Sequence, residues 1–103
     1  MTNFSDMLSK AKAMQEKMKE AQDQIKKITV DGEAGGNLVK VTLSGDYELK
    51  SITISDAAKK ESQEIINDLI IAAYNNAKEN LKKKSAEELS KVTGGLNLPL
   101  DFK

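Results

Sequence analysis

The first 28 residues carry an apolar repeat that constrains the fold more than any other feature of this chain. Apolar residues recur at alternating steps of three and four, the spacing of one face of an α-helix. The eight positions are Phe4, Met7, Ala11, Met14, Met18, Ala21, Ile25 and Ile28. As heptad positions a and d, they predict one helix of about four heptads, from about Asn3 or Ser5 to Lys27. Its single apolar stripe must be covered by another helix, as in a coiled coil.

Charged residues are sorted by face around this helix. The acidic residues fall at heptad positions c and f, which we expect to form the outer back. Five lysines fall at positions b and g, and we expect them along both flanks of the stripe: Lys10, Lys12, Lys17, Lys19 and Lys26. A lysine row that repeats every seven residues, about 10 Å per step, indicates contact with a nucleic-acid backbone or another acidic surface. The alternative is a solvated helix whose charges pair at i,i+4, as Lys12 and Glu16 would.

Beyond Ile28 the apolar pattern changes to alternation, which indicates β-strands. Three strands are predicted, at residues 29–34, 38–44 and 47–54, with turns at Gly35-Gly36-Asn37 and Gly45-Asp46. Short turns between consecutive strands favour an antiparallel meander. In the third strand the apolar parity changes, so we expect a β-bulge near Lys50 and Ser51.

A second long helix is predicted after the strands. Ser55 or Asp56 can cap its start, and Gly94-Gly95 closes it after about Val92. The order of elements predicts an α+β fold, α-β-β-β-α, in a single domain of residues 1–94. Residues 95–103, whose apolar residues alternate, are predicted to be an extended C-terminal tail. We expect the tail to be dispensable for folding and to contact a groove on a dimer, or a partner.

Part of the second helix is too apolar for one small subunit to cover. Eight of the ten residues from Ile65 to Tyr74 are apolar, and they surround the helix nearly completely. This pattern predicts burial against both the sheet and a second copy of the chain. We therefore expect a homodimer whose interface contains Ile65, Ile66, Leu69, Ile70, Ala73 and Tyr74.

Composition excludes several classes of function. Sixteen lysines balance sixteen acidic residues, which argues against a wrapping protein held by overall positive charge, although the helical parts are mildly basic. Without His or Cys, the usual zinc sites, disulfides and histidine catalysis are excluded. We expect no enzyme, no cofactor and no small-molecule substrate. The longest apolar run is about half of a membrane span, so we expect a soluble, cytoplasmic protein.

The remaining motifs give one more basic cluster and two structural features. Lys82-Lys83-Lys84, with Lys78 one turn earlier, could lie beside the early part of the first helix if the two helices form an antiparallel hairpin. The glycines between the first strands match no phosphate-binding pattern and predict a turn. Tyr47 stands without the aromatic partners of a base-stacking platform, and we expect it to pack structurally.

Four segments together resemble one known family. They are MLSKAKAMQEKMKEAQDQI, VDGEAGGNLVKVTLSGDYELKSITI, EIINDLIIAAYNNAKENLKKK and GGLNLPLDFK, which cover essentially the whole chain. They look like the YbaB/EbfC family of small bacterial nucleoid-associated DNA-binding proteins. The resemblance implies an α-β-β-β-α fold, an intertwined homodimer shaped like tweezers, and a place on the nucleoid in the cytoplasm. It also implies DNA binding that affects chromosome organisation and gene expression, and no enzymatic activity.

Pattern and resemblance together predict a binding mode for double-stranded DNA. The expected phosphate contacts come from lysines of both helices: Lys10, Lys12, Lys17, Lys19, Lys26, Lys78, Lys82, Lys83 and Lys84. Because no basic residue is an arginine, bidentate reading of guanine is excluded and low base specificity is expected. The alternative is a prefoldin-like holding chaperone or another protein-interaction module, for which Met7, Met14 and Met18 would be suited.

Overall fold

The computed structural model describes residues 4–95, with side chains described as far as Val92. The elements are α1 (Phe4–Lys27), β1 (Thr29–Ala34), β2 (Val39–Ser44), β3 (Leu49–Ile54), α2 (Asp56–Lys59) and α3 (Gln63–Gly95). The strands form one antiparallel sheet in the order β1-β2-β3. The predicted fold class and meander are therefore confirmed, with α2 as an additional short helix. The predicted tail from residue 96 onward lies outside the described residues.

The core lies between α3 and the middle of the sheet. Val39, Val41 and Leu43 alternate along β2 and are fully buried, as predicted from their spacing. The α3 residues that pack on this face are Ala73, Ala77 and Leu81, which are also fully buried. Their small or compact side chains let α3 lie across β1 and β2. The face of β3 is left largely uncovered.

Gly32 in β1 determines how closely α3 approaches the sheet. A Cβ atom at this position would lie 2.2 Å from the amide nitrogen of Ala77 and 2.4 Å from the carbonyl oxygen of Ala73. No side chain larger than hydrogen fits between the strand and the helix backbone at that spacing. The glycine and the two alanines therefore act together to seat α3 on β1.

Two asparagines of α3 bind the free edge of β1. The amide of Glu33 donates to Oδ1 of Asn76 at 3.0 Å, and Nδ2 of Asn80 donates to the carbonyl oxygen of Asp31 at 2.9 Å. Residues two apart on a strand direct their backbone groups to the same edge, and β2 occupies the other edge. The pairs also show that α3 runs antiparallel to β1.

The predicted bulge in β3 is confirmed. Thr42 pairs with Ser51 and Leu43 pairs with Leu49, so Lys50 is the extra residue. This insertion keeps Leu49 on the same face as Ile52, although the two are three positions apart. The strand begins at Leu49 rather than at the predicted Tyr47.

The predicted single second helix was wrong at its start. The hydroxyl of Ser55 accepts from the amide of Ala58 and caps α2, as expected, but α2 ends at Lys59. Ser62 then provides a second cap, because its Oγ accepts from the amide of Ile65 at 3.2 Å. A serine at this position satisfies the helix start better than it supports a helix interior. The long helix therefore begins at Gln63, and it continues through Gly95 rather than closing at Val92.

Only part of the apolar stripe of α1 is covered. Ala21 and Ile25 are buried against α3, and Met14 and Met18 are half-buried. Farther toward the N-terminus, Phe4 is exposed. The molecule measures 70 × 26 × 16 Å and has a radius of gyration of 19.5 Å, against about 13 Å for a compact chain of this length. The single chain is therefore elongated. Within residues 4–95, no helix combines the length and apolar character needed to cross a membrane.

Candidate nucleic-acid interface

Two helices form an arm that extends from the sheet. We define the arm as α1 together with residues 78–95 of α3, whose first turn, with Asn80 and Leu81, still packs on the sheet. The turn after β2 fixes its base, because the amide of Gly45 donates to the carbonyl oxygen of Ile28 at 3.0 Å. A Cβ atom at Gly45 would overlap the carbonyl oxygen of Ile25 at 1.5 Å, so only glycine allows this contact. The arm carries all nine lysines predicted to contact DNA.

The lysines at heptad position b lie on the outer face of the arm. Ala21 and Ile25 face α3, and at about 100° per residue Lys12, Lys19 and Lys26 are rotated roughly 120–160° from them. All three are exposed. The structure thus places this row opposite α3 rather than on a flank of the stripe. Glu16 and Asp23 share that face, so the expected separation of charge by face is incomplete.

The lysines at position g lie closer to the stripe. Lys17 lines a groove between α1 and α3 with a volume of about 260 Å³, together with Ala21 and Gln24. Glu88 and Lys91 line its other side, where Lys91 Nζ lies 2.8 Å from Glu88 Oε2. The hydrogen bond that Lys91 donates to the carboxylate of Glu88 raises the pKa of Lys91 above its usual value. Charges of both signs line the groove, which makes it a poor site for an anion.

The predicted position of the second basic cluster was wrong. Residues 88–92 of α3 line the groove opposite residues 17–24 of α1, and the two helices are antiparallel. Lys82-Lys83-Lys84 therefore lie level with the end of α1, near Lys26 and Lys27, rather than beside its early part. Because successive residues are about 100° apart, these three lysines also point to different sides of α3. Lys78 and Lys82, one turn apart, share a side.

The nine predicted lysines are free of ion pairs within the described side chains. The ion pairs found there involve other lysines: Lys40 with Asp31, Lys50 with Glu48, Lys59 with Asp56, and Lys91 with Glu88. The helix pairs considered as an alternative, such as Lys12 with Glu16, are not formed at 4 Å or less. Unpaired ammonium groups can exchange their counterions for phosphates without first breaking a salt bridge.

One acidic group lies near the base of the arm. The hydroxyl of Ser44 donates to Oδ1 of Asp46 and so holds the pKa of that carboxyl below its ordinary value, with smaller contributions from Lys50 and Lys26. In the sheet, the pKa of Asp31 is lowered mainly by the hydroxyl of Thr42 and further by Lys40. Asp46 and Asp31 therefore lie in the turn and the sheet, in addition to the acidic residues that the arm itself carries.

A second surface of interest is apolar. On β3, Leu49 is 46% and Ile52 is 42% exposed, on the sheet face that also carries α3. Ile70 and Tyr74, both half-buried, lie on the flank of α3 opposite Asn76. We call these four residues the β3/α3 patch. Sequence reasoning found the two α3 residues but not the two β3 residues, although the parity change at the bulge marked them.

The residues predicted at the dimer interface differ in how far they are exposed in the single chain. Ala73 has no exposed surface in the single chain, because it packs at Gly32, and we remove it from the predicted interface. Leu69 is half-buried at the turn that contains Gly35. Ile65 is 45% exposed, and Ile66 and Ile70 are half-buried. These side chains, with Tyr74, retain surface that a second subunit could cover.

The acidic side chains and the glycines of the first turn are two further groups of residues singled out by type. Between Phe4 and Val92, no group of three acidic side chains comes together in a way that could hold a metal ion. Gly35 and Gly36 have φ angles of +66° and +62°, which confirms that this cluster is a turn. The features of functional interest are therefore the lysines of the arm and the β3/α3 patch.

Comparisons with known proteins agree with the fold and with the resemblance found in the sequence. The fold matches a crystal structure of uncharacterized protein HP0035 from Helicobacter pylori, with a TM-score of 0.69 over 84% of this chain and 92% of that one at 18% identity. A nucleoid-associated protein of Pelodictyon phaeoclathratiforme is 44% identical over 102 residues, or 99% of this chain and 91% of that protein. Another, from Rickettsia canadensis, is 40% identical over 104 residues, covering 100% and 97%. The family model named YbaB/EbfC DNA-binding family matches residues 1–96, and this chain belongs to that family.

Proposed function

We propose that the protein is a nucleoid-associated protein of the cytoplasm that binds duplex DNA as a homodimer. Binding rests on contacts between lysines of the arm and phosphates, and it affects chromosome organisation and gene expression. The observation that carries the proposal is the set of nine lysines on the arm, without ion pairs among the described side chains, in a chain of a DNA-binding family. The protein acts by binding rather than by catalysis.

The outer row of α1 suits a phosphate backbone in its dimensions. Lys12, Lys19 and Lys26 are spaced by about 10 Å, which corresponds to the rise of roughly three base pairs along the duplex axis. The ammonium groups are point charges on flexible stems, without the planar fork that reads guanine. Phosphate contacts position a protein on DNA but carry no sequence information, so discrimination between base sequences is weak.

A charge-reversal experiment tests which face binds. If four to six phosphates are neutralised per dimer, log K falls against log salt with a slope of about −3.6 to −5.4. The double variant Lys12→Glu, Lys19→Glu should weaken binding to all duplexes alike and flatten that slope. Titration of fluorescent random-sequence duplex at several salt concentrations measures both quantities.

A matched control separates contact from overall charge. Lys59→Glu with Lys60→Glu changes the net charge equally, at exposed positions at the end of α2, away from the arm. This control should keep the slope of the unmutated protein. Equal weakening by both double variants, or no change in either, would contradict binding through the outer row of α1.

The homodimer uses the β3/α3 patch in this proposal. The patch exposes large apolar side chains on both β3 and α3, and a small single-chain core favours their burial by a second copy. Ile52→Asp places a charge in the patch and should give a folded monomer, because Ile52 is already 42% exposed in the single chain. Ser51→Asp, on the opposite face of the same strand, should leave the dimer intact. Sedimentation or light scattering distinguishes 11.3 kDa from twice that mass.

A holding chaperone is the second candidate, favoured by one observation. Phe4 and Met7 are exposed at the end of the arm, as a surface that grips unfolded chains would require. A measurement of aggregation suppression on an unfolded client, beside the DNA titration, separates the two functions. Suppression at stoichiometric protein without salt-dependent DNA binding would favour the chaperone.

A further inference from the structure

The turn between β2 and β3 carries an exposed aromatic residue on a strained backbone. Tyr47 has a φ angle of +65° and is 43% exposed. The left-handed conformation is unfavourable for a tyrosine, and a ring that is exposed to this extent offsets the strain only in part. Strain of this kind is concentrated at sites that bind or react. Tyr47 is therefore a candidate for contact with a ligand.

One buried residue fixes the turn that carries this ring. The backbone carbonyl oxygen of Ser44 accepts from the amide of Tyr47 at 3.0 Å, and the amide of Ser44 donates to the carbonyl oxygen of Glu48 at 2.9 Å. The hydroxyl of Ser44, which is 5% exposed, donates to Asp46 and accepts from the amide of Glu48 at 3.1 Å. The backbone under the ring thus has little freedom to lose when a ligand binds.

The turn lies at one end of the outer row of α1, which consists of Lys12, Lys19 and Lys26. A Cβ atom at Gly45 would lie 3.0 Å from the Cα atom of Lys26, so the turn packs directly on the last lysine of the row. The charge of Lys26 is close enough to contribute to the lowered pKa of Asp46. A duplex that follows the outer row in the proposed function therefore reaches the turn at its Lys26 end.

We propose that Tyr47 stacks on one unpaired base of a DNA molecule that the arm holds by its phosphates. This inference rests on the proposed function. The carboxylates of Asp46 and Glu48 flank Tyr47 in the sequence and disfavour a phosphate at this place. A base instead offers a π-face to an aromatic ring, and such stacking tolerates any base sequence. Neighbouring base pairs hide that face in an intact duplex, and exposing it costs least where a base is already unpaired. The contact therefore favours DNA that contains a bulge.

The test compares a fully paired duplex with the same duplex carrying a two-nucleotide bulge. The unmutated protein should bind the bulged duplex about fivefold tighter or more, which is the lower end of the range for stacking on one base. The salt slopes on the two duplexes should agree closely, because stacking neutralises no phosphate. Tyr47→Gly should abolish the preference, whereas Tyr47→Phe keeps the ring and should retain it. A preference that is absent in the unmutated protein, or that survives in Tyr47→Gly, would overturn the inference.

The lysines and the ring give separate readouts in this experiment. Lys12→Glu with Lys19→Glu should weaken binding to both duplexes equally and flatten the salt slope, while the preference for the bulge remains. If the unmutated protein binds neither duplex in a salt-dependent manner, the proposed function fails and this inference fails with it. If the unmutated protein binds both duplexes equally, only the stacking contact fails.

A tryptophan probe locates the contact. The chain contains no tryptophan, so Tyr47→Trp introduces a single emitter in the turn. Stacking on a base should quench its emission more strongly with the bulged duplex than with the paired one. Lys59→Trp, at an exposed position at the end of α2, is the matched control, and its emission should not change. Equal quenching of the two probes would overturn the contact at Tyr47.

Discussion

Tyr47 has a backbone conformation that residues other than glycine and asparagine rarely adopt. Its φ angle is +65°, at the last position of the three-residue turn between Ser44 and Glu48. Turns of this type normally place glycine there, since the left-handed conformation costs other residues about 1–2 kcal/mol. The ring is 43% exposed and therefore recovers only part of this cost by packing.

Replacing this tyrosine should stabilise the protein. We expect Tyr47→Gly to raise the free energy of unfolding by about 0.5–1 kcal/mol, after the larger chain entropy of glycine is subtracted. Urea denaturation monitored by circular dichroism measures the change. Glu48→Gly, one residue later and at an ordinary φ, should lower stability instead. Destabilisation by Tyr47→Gly would show that the ring packs more tightly than its exposure indicates.

At the scale of elements, the seating of α3 on β1 depends on a single missing side chain. We expect Gly32→Ala to unfold the protein or to destabilise it by more than about 4 kcal/mol, because the added methyl group meets backbone atoms that cannot move independently. Thermal unfolding measures the loss. Gly36→Asn is the control: no atom lies within 4 Å of a Cβ atom there, and asparagine tolerates its φ of +62°. A well-folded Gly32→Ala protein would contradict the close approach.

Local sequence patterns predicted the helices and strands of this fold better than the packing of these elements against each other. The parity change around Lys50 is a local signal, and it located the bulge correctly. The break before Gln63 was missed because no glycine or proline lies between Ser55 and Gln63, and only Ser62 marks the new start. The position of Lys82-Lys83-Lys84 relative to α1 was missed for another reason. It is set by contacts distant in sequence, such as Gly45 against Ile25, which periodicity does not encode.

At the scale of the whole molecule, the elongated shape separates the lysines of the arm from the acidic residues of the sheet, although the chain is neutral. The net charge is zero, yet the arm extends from the sheet in a molecule 70 Å long. Surface charges are screened within about 8 Å at physiological salt. A phosphate near the outer row of α1 therefore interacts mainly with the arm, and hardly with acids of the sheet such as Asp31. Residue counts could not show this separation, because it depends on where the arm points.

The asparagines at the edge of β1 have a consequence for how copies of this chain can add together. An open sheet has two edges, and a protein with both edges exposed can add strands without end, as amyloid fibres do. Here Asn76 and Asn80 bind two backbone groups at the edge of β1, the amide of Glu33 and the carbonyl oxygen of Asp31, while no strand of the described chain pairs with the outer edge of β3. Strand addition is therefore restricted to the edge of β3 and stops after one step.

Removing the two asparagine side chains from the edge of β1 should change self-association more than the free energy of unfolding. We expect Asn76→Ala with Asn80→Ala to cost at most about 1–2 kcal/mol, because both hydrogen bonds are exposed and water can replace them. The variant should nevertheless form species larger than the unmutated protein does at high concentration, with fibre-like growth that binds thioflavin. Sedimentation velocity over a concentration series follows the growth. A double variant that keeps the size distribution of the unmutated protein would mean that something other than these side chains blocks the edge of β1. With Asn76 and Asn80 in place, each copy of the chain offers one edge for strand pairing, so growth by strand addition ends with the second copy.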